Sequence, residues 1–255
     1  MADLSYAIIV ASLHGRTGKT LLARVIAEYF MLSGEMPYIF DTDPVDHRLL
    51  TLFPHTTRVV DLPQVPHQMT LFDTLAKASR ESRIVDLTHR SFGQFFDLMR
   101  QTDFIAEARA RGVEPVILYI PDRRRDSFEA GVALGQRFPD SAFVVVENAF
   151  LGEPRDSVRS GDAYRALKAH DLRLLVPTLA PDITEALDEP SLSLSEFMRR
   201  PLSHGDAERL PEYLRRARAE LRTWLLAIFQ GVHRITLAVD GDLAPVADPR
   251  YSSAG

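Results

Sequence analysis

Apolar positions along this chain follow two rhythms. Short runs of aliphatic and β-branched residues recur at Ala7–Ala11, Pro37–Phe40, Arg58–Leu62, Arg83–Leu87, Glu114–Ile120, Ala142–Glu147 and Leu172–Val176. They are too short for buried helices, so they predict core strands. Between them apolar residues return every three or four positions, as in Leu21, Leu22, Val25, Ile26, Tyr29 and Phe30 before Gly34. That spacing predicts a helix after the first strand, and others over His67–Arg80, Phe95–Arg111, Ser127–Arg137 and Ala163–His170. Ser193–Met198 predicts one or two helical turns. Ala207–Gln230 predicts a long amphipathic helix, with Leu210, Leu214, Leu221, Leu225 and Ile228 on one side. Strands alternating with helices imply an α/β fold: a mostly parallel, doubly wound sheet flanked by helices. Residues 1–239 are expected to form a single domain. Residues 240–255 are rich in Pro, Ala, Ser and Gly without an apolar face, and predict a disordered tail.

The stretch Tyr6–Leu32 carries the chemistry. A buried strand runs into a loop with Gly15 and Gly18, then Lys19-Thr20, then the first helix. Glycines let a backbone approach phosphates closely, and amides at a helix start point toward an anion. A lysine there neutralises outer phosphates, and the Thr20 hydroxyl is placed to ligate Mg²⁺. The usual form of such a loop, GxxxxGK[ST], has glycine where this chain has Leu13. The segment His14-Gly15-Arg16-Thr17-Gly18-Lys19-Thr20 resembles instead the deviant loop, KGGxGKT, of the ParA/MinD family of P-loop ATPases. In that family the first residue is a signature lysine that stabilises phosphate charge, often across an ATP-bound dimer. This chain has His14 there, and Arg16 in place of the second glycine. The competing reading is a glycine turn before an ordinary helix.

Further along, Asp41-Thr42-Asp43-Pro44 resembles the family's DxDP element, although Val45-Asp46-His47 replaces the usual glutamine-glycine-asparagine. The resemblance implies that Asp43 orients or activates the attacking water and that Asp41 organises the switch and metal shell. Without it, the segment is an acidic turn before proline. The strand ending at Asp86 is the Walker B candidate, whose carboxylate binds Mg²⁺ through its water shell, and Thr88-His89-Arg90-Ser91 would be a second switch. Asn148 stands where the family has an adenine-contacting asparagine, and Pro177 with Thr178–Ala180 resembles the loop beside the base. GTP-binding relatives carry Asn-Lys-x-Asp, whereas this chain reads Asn148-Ala149-Phe150-Leu151, which implies ATP. The nucleotide set is thus Gly15, Arg16, Thr17, Gly18, Lys19, Thr20, Leu21, Asn148 and Pro177. Lys19, Asp43, Asp41 and His14 are the catalytic candidates, and Thr20 and Asp86 the metal ligands. The resemblance spans Tyr6 to about Phe197.

Composition narrows the choice. The absence of cysteine excludes disulfides, thiolate zinc and Cys-ligated clusters. A net charge of −5 excludes an indiscriminate polycation. No apolar run is long enough to span a bilayer and no signal peptide is recognised, so a cytoplasmic protein is expected. The resemblance implies an ATP- and Mg²⁺-dependent ATPase acting in DNA partition or intracellular positioning. It would switch between monomer and ATP-bound homodimer and answer to an activating protein partner. The basic region Arg199, Arg200, Arg209, Arg215, Arg216 and Arg218 would be its nonspecific DNA surface; membrane contact is the less favoured alternative for the long helix. Two other functions stay open: a small-molecule ligase or kinase of the dethiobiotin-synthetase kind, whose loop also lacks the signature lysine, and a degenerate, non-hydrolysing nucleotide-binding module.

Overall fold

A computed structural model describes residues 5–180, 183, 193–199 and 212–241. Seven strands, β1 (Ser5–Ala11), β2 (Tyr38–Asp41), β3 (Thr57–Val59), β4 (Arg83–Asp86), β5 (Val113–Tyr119), β6 (Ala142–Asn148) and β7 (Arg173–Val176), form one sheet in the order β3-β2-β4-β1-β5-β6-β7. Every neighbouring pair is parallel. The predicted α/β architecture is therefore present, and its sheet is wholly parallel. β1 lies at the centre, with Ile8 beside Ile84 of β4 and Val116 of β5. The chain moves to one side of β1 through β2 and β3, and to the other through β5. Ligands of such sheets bind beyond the carboxyl ends of the strands where the winding direction reverses.

Both faces of the sheet are covered, which is why its strands read as apolar runs rather than as alternations. Ile8 and Val10 pack on one side with α1 (Lys19–Leu32) and the C-terminal helix Glu212–Val239. Ile9 and Ala11 pack on the other with α3 (Val65–Leu75), α4 (Phe92–Gln101) and α5 (Phe104–Ala110). α6 (Arg125–Arg137) and α8 (Asp162–Lys168) complete that second layer. Two short helices, α2 (Arg48–Leu52) and α7 (Asp156–Arg159), have too few residues to show a period.

Three predicted helices differ in extent. The stretch Phe95–Arg111 is two helices, because Asp103 adopts left-handed φ of 49° between them; Asp tolerates that conformation better than most residues. α3 starts at Val65 with Pro66 in its first turn, where a missing N–H costs nothing. The C-terminal helix continues to Val239, since Val232 and Ile235 extend its buried side past Gln230. Its predicted start at Ala207 lies outside the described residues, as do Arg200, Arg209 and nearly all of the expected tail. No helix among the described residues is long and apolar enough to cross a membrane.

Candidate functional site

The loop between β1 and α1 is built around backbone that ordinary residues avoid. Gly18, at the N-terminus of α1, has φ 88°, and a Cβ there would lie 2.8 Å from Asn148 Nδ2. Both facts require glycine. Arg16 adopts φ 61° with a side chain, in the place where the resembled loop has its second glycine. The positive φ values at residues 16 and 18 curl successive amides toward one another at a helix start, the arrangement that forms an anion-binding concavity. Asn148 braces this curl: its Nδ2 donates to the Thr17 carbonyl at 3.0 Å, and its Oδ1 accepts from the Phe150 amide.

Lys19 is almost wholly buried, and its Nζ donates to the His14 carbonyl at 3.0 Å, lying back across the loop. Burial pulls its pKa below the ordinary value, partly offset by attraction to Asp86. The Thr20 hydroxyl donates to Asp86 Oδ2 at 2.6 Å, joining the first turn of α1 to the end of β4. Asp86 and Asp41 stand side by side in register on β4 and β2. Burial raises Asp86 to about 7, with Asp41 and Asp43 adding to the rise against the Thr20 hydrogen bond and the Lys19 charge. Burial also raises Asp41 to about 6, and its Oδ2 has no hydrogen-bond partner among the described residues.

A buried carboxylate oxygen without a partner, beside a second carboxylate and a threonine hydroxyl, suits a hard divalent cation. Yet no group of three or more His, Asp or Glu side chains among the described residues converges as a cage. A divalent cation at this place would be held by Thr20 and Asp86, with the rest of its oxygens supplied from outside the chain.

Asp43 lies at the rim, half-buried, and its Oδ1 accepts from the amides of Val45 and Asp46. Burial favours its neutral form. Those amides, the Arg90 charge and the Thr88 hydroxyl outweigh it and hold the carboxyl below its usual range. The loops after β2 and β4 are bolted together by Thr42, whose Oγ1 donates to the Asp86 carbonyl and accepts from the Thr88 amide.

His14 turns away from the loop's interior. Its Nδ1 lies 2.8 Å from Asp122 Oδ2, and its Nε2 lies 3.5 Å from Asp126 Oδ2. Of the neighbouring arginine run, Arg124 pairs with Asp126 and Arg125 donates to the Ser157 carbonyl, with all three arginines exposed.

Beside the loop opens a cavity of about 410 Å³, within the range of small-molecule sites. Residues 16–22 and Asn148 form its polar edge. Phe150, Pro177, Leu179 and Trp224 form its apolar walls. Trp224 is buried, and its Nε1 donates to the Pro177 carbonyl at 2.7 Å, fixing that wall. The residues singled out in the sequence thus gather in one place: residues 15–21, Asp41, Asp43, Asp86, Asn148 and Pro177 all meet at the carboxyl end of the sheet. His14 is close by but engaged elsewhere. Sequence reasoning missed Asp122, Asp126, Phe150 and Trp224 as site residues. Asp122 follows β5, the neighbour of β1, so strand order would have revealed it.

No protein-family profile matches this chain, and no curated protein matches it. Among solved structures, it resembles a nucleotide-binding protein in complex with ADP, with Co, from Archaeoglobus fulgidus. The two share 15% identity and a TM-score of 0.47, over 78% of this chain and 90% of the other. A likeness at that level decides nothing about chemistry.

Proposed function

We propose that this chain binds ATP with Mg²⁺ and hydrolyses it, as a nucleotide-switched ATPase of the ParA/MinD type. The observation that carries the reading is the 2.6 Å hydrogen bond from Thr20 to Asp86, with Lys19 buried beside it at the mouth of a curled glycine loop. Polyphosphate would lie in the curl, meeting Lys19 and the amides at the start of α1. The base would enter the cavity between Asn148, Phe150, Pro177 and Trp224. Mg²⁺ would supply neutralisation of charge on the outer phosphates. Asp43, ionised at neutral pH, would accept a hydrogen bond from a water and aim its oxygen at the terminal phosphorus; the bond to the departing ADP oxygen would break in line.

The family reading adds an ATP-dependent homodimer, an activating protein partner and a role in DNA partition or positioning. Arg215 and Arg216 are exposed on the C-terminal helix, which supports a local basic surface. Weak, salt-sensitive DNA binding that needs ATP and falls with Arg215→Glu and Arg218→Glu would agree; no binding at low salt with ATP would remove the DNA role.

One observation favours a second reading. His14, held by two carboxylates, is not free to reach across to a partner's nucleotide. That suits a small-molecule kinase or ligase, in which hydrolysis without acceptor is slow. Phosphate release from Mg-ATP alone separates the two: steady turnover supports the ATPase, and turnover only with an added metabolite supports the kinase. Absence of nucleotide binding would overturn both.

A further inference from the structure

Position 14 leaves a gap in the charge around the loop, and a different side chain stands at that gap. The turn that follows β4 carries His89 over the glycine loop. A Cβ built on Gly15 would lie 3.2 Å from His89 Cε1 and 3.4 Å from its Nδ1. A side chain at position 15 would press on the ring and move it by a few tenths of an ångström. The ring is exposed at this mouth, and no hydrogen bond to it is seen among the described residues. Lys19, Arg90, Asp43 and His14 all lie near enough to act on it electrostatically. It therefore stands among the groups that surround the outer end of a polyphosphate in the reading above.

The mounting of His89 matters as much as its position. It lies three residues beyond Asp86, on a 3-10 turn spanning His89–Ser91. The residue between them and the turn, Thr88, is fixed at both ends: its amide donates to Thr42 Oγ1 at 2.8 Å and its hydroxyl to Asp43 Oδ2 at 3.4 Å. Whatever sets Asp86, Thr42 and Asp43 sets the backbone of His89. A cation and terminal phosphate bound there would act on the same few residues that aim this ring.

We infer that His89 is the residue that distinguishes the terminal phosphate of the nucleotide, contacting it within one subunit in the role that His14, tied to Asp122 and Asp126, does not fill. An imidazole N–H can donate to a phosphate oxygen, and a hydrogen bond to a charged acceptor is stronger than one between neutral groups. ADP ends before this contact, so His89 separates the triphosphate from the diphosphate.

This inference rests on the nucleotide reading, and the test keeps the two apart. Calorimetry would compare ADP with the non-hydrolysable triphosphate AMPPNP, each with Mg²⁺, on wild type, His89→Ala and His89→Gln. His89→Ala should weaken AMPPNP by about tenfold, the scale of one hydrogen bond to a charged group, while ADP affinity stays within about twofold. His89→Gln, which keeps an N–H donor, should recover most of the loss. Equal weakening of both nucleotides would reduce His89 to a structural support of the loop. Unchanged affinities, or tighter AMPPNP binding in His89→Ala, would also overturn the assignment, the latter by showing that the ring obstructs the loop. If wild type binds neither nucleotide, the nucleotide reading itself fails and takes this one with it. If wild type binds both and the variants bind both as wild type does, the nucleotide reading stands and this one does not.

Discussion

Asp86 is where function and stability oppose each other most sharply. Its carboxylate is buried at the end of β4, with Asp41 beside it and the Thr20 hydroxyl and Lys19 charge offsetting it. The displacement from an ordinary 3.8 to about 7 amounts, at about 1.4 kcal/mol per pH unit, to roughly 4 kcal/mol against the ionised form in the folded protein. The sign follows from proton linkage. Between pH 3.8 and about 7 the folded chain holds a proton here that the unfolded chain has lost, so stability falls as pH rises through that window. Asp41, raised to about 6, pushes the same way over the lower part of it. Asp86→Asn keeps an oxygen to accept from Thr20 and removes the buried charge, while leaving Lys19 without its counter-charge. At pH 8 the nucleotide-free variant should therefore be more stable than wild type by about 2–3 kcal/mol, somewhat less than the full electrostatic term. Urea unfolding at pH 5 and pH 8 would read this directly. Wild type should lose stability between the two, and the variant much less, with the remainder due to Asp41. The same variant should lose the extra stability that Mg-ATP confers on wild type. A variant less stable than wild type at pH 8, with the same pH dependence, would refute the reasoning and make Asp86 a structural hydrogen-bond acceptor.

Asp43→Ala should leave ATP affinity within a few-fold of wild type and slow phosphate release at least tenfold, because in this reading the rim carboxylate holds the attacking water and touches no phosphate itself; normal release would reduce Asp43 to its turn with Val45 and Asp46 and make Asp41 the candidate. Trp224 is the chain's single tryptophan and walls the cavity beside the glycine loop, so under the proposed reading ATP should change its fluorescence in a saturable way. Trp224→Phe, which deletes the hydrogen bond to the Pro177 carbonyl, should lower affinity for ATP by about three- to tenfold, with about 1 kcal/mol lost from stability. An unchanged ATP affinity of the variant in calorimetry would place the base elsewhere.

Much of the architecture was legible because the sheet is buried on both faces. Most strands announced themselves as short apolar runs and each major helix as a period, whereas the third strand, expected over Arg58–Leu62, is the half-exposed Thr57–Val59. What blurred was local: Asp103 breaks a helix whose apolar period runs on through it, and a five-residue helix such as α2 leaves no period to find. The glycine loop was legible for a chemical reason. Gly18 must adopt a left-handed conformation against Asn148, and Lys19-Thr20 must follow it, so the residue types survive as a readable string. Arg16 shows the limit of such strings, since it holds a positive φ that the sequence alone would assign to glycine.

The engagement of His14 was not legible, because its partners lie more than a hundred residues away, beyond β5. The carboxylates Asp122 and Asp126, on either side of the arginines at 123–125, are the groups that reach His14 of the loop. Trp224 was hidden for a similar reason. On a helical projection it belongs to an apolar stripe, and only the packed structure sets its indole N–H against the Pro177 carbonyl. Both misses concern pairs of residues far apart in sequence, which periodicity cannot join.

In the proposed reading the buried Lys19 ammonium meets the outer phosphates of ATP. Calorimetric titration of Mg-ATP into wild type and Lys19→Ala tests it most directly. Lys19 is released from the His14 carbonyl only if phosphate offers a stronger acceptor, so the account predicts saturable binding by wild type and a loss of at least a hundredfold in the variant, about 3 kcal/mol. The folded variant binding Mg-ATP as tightly as wild type would contradict it.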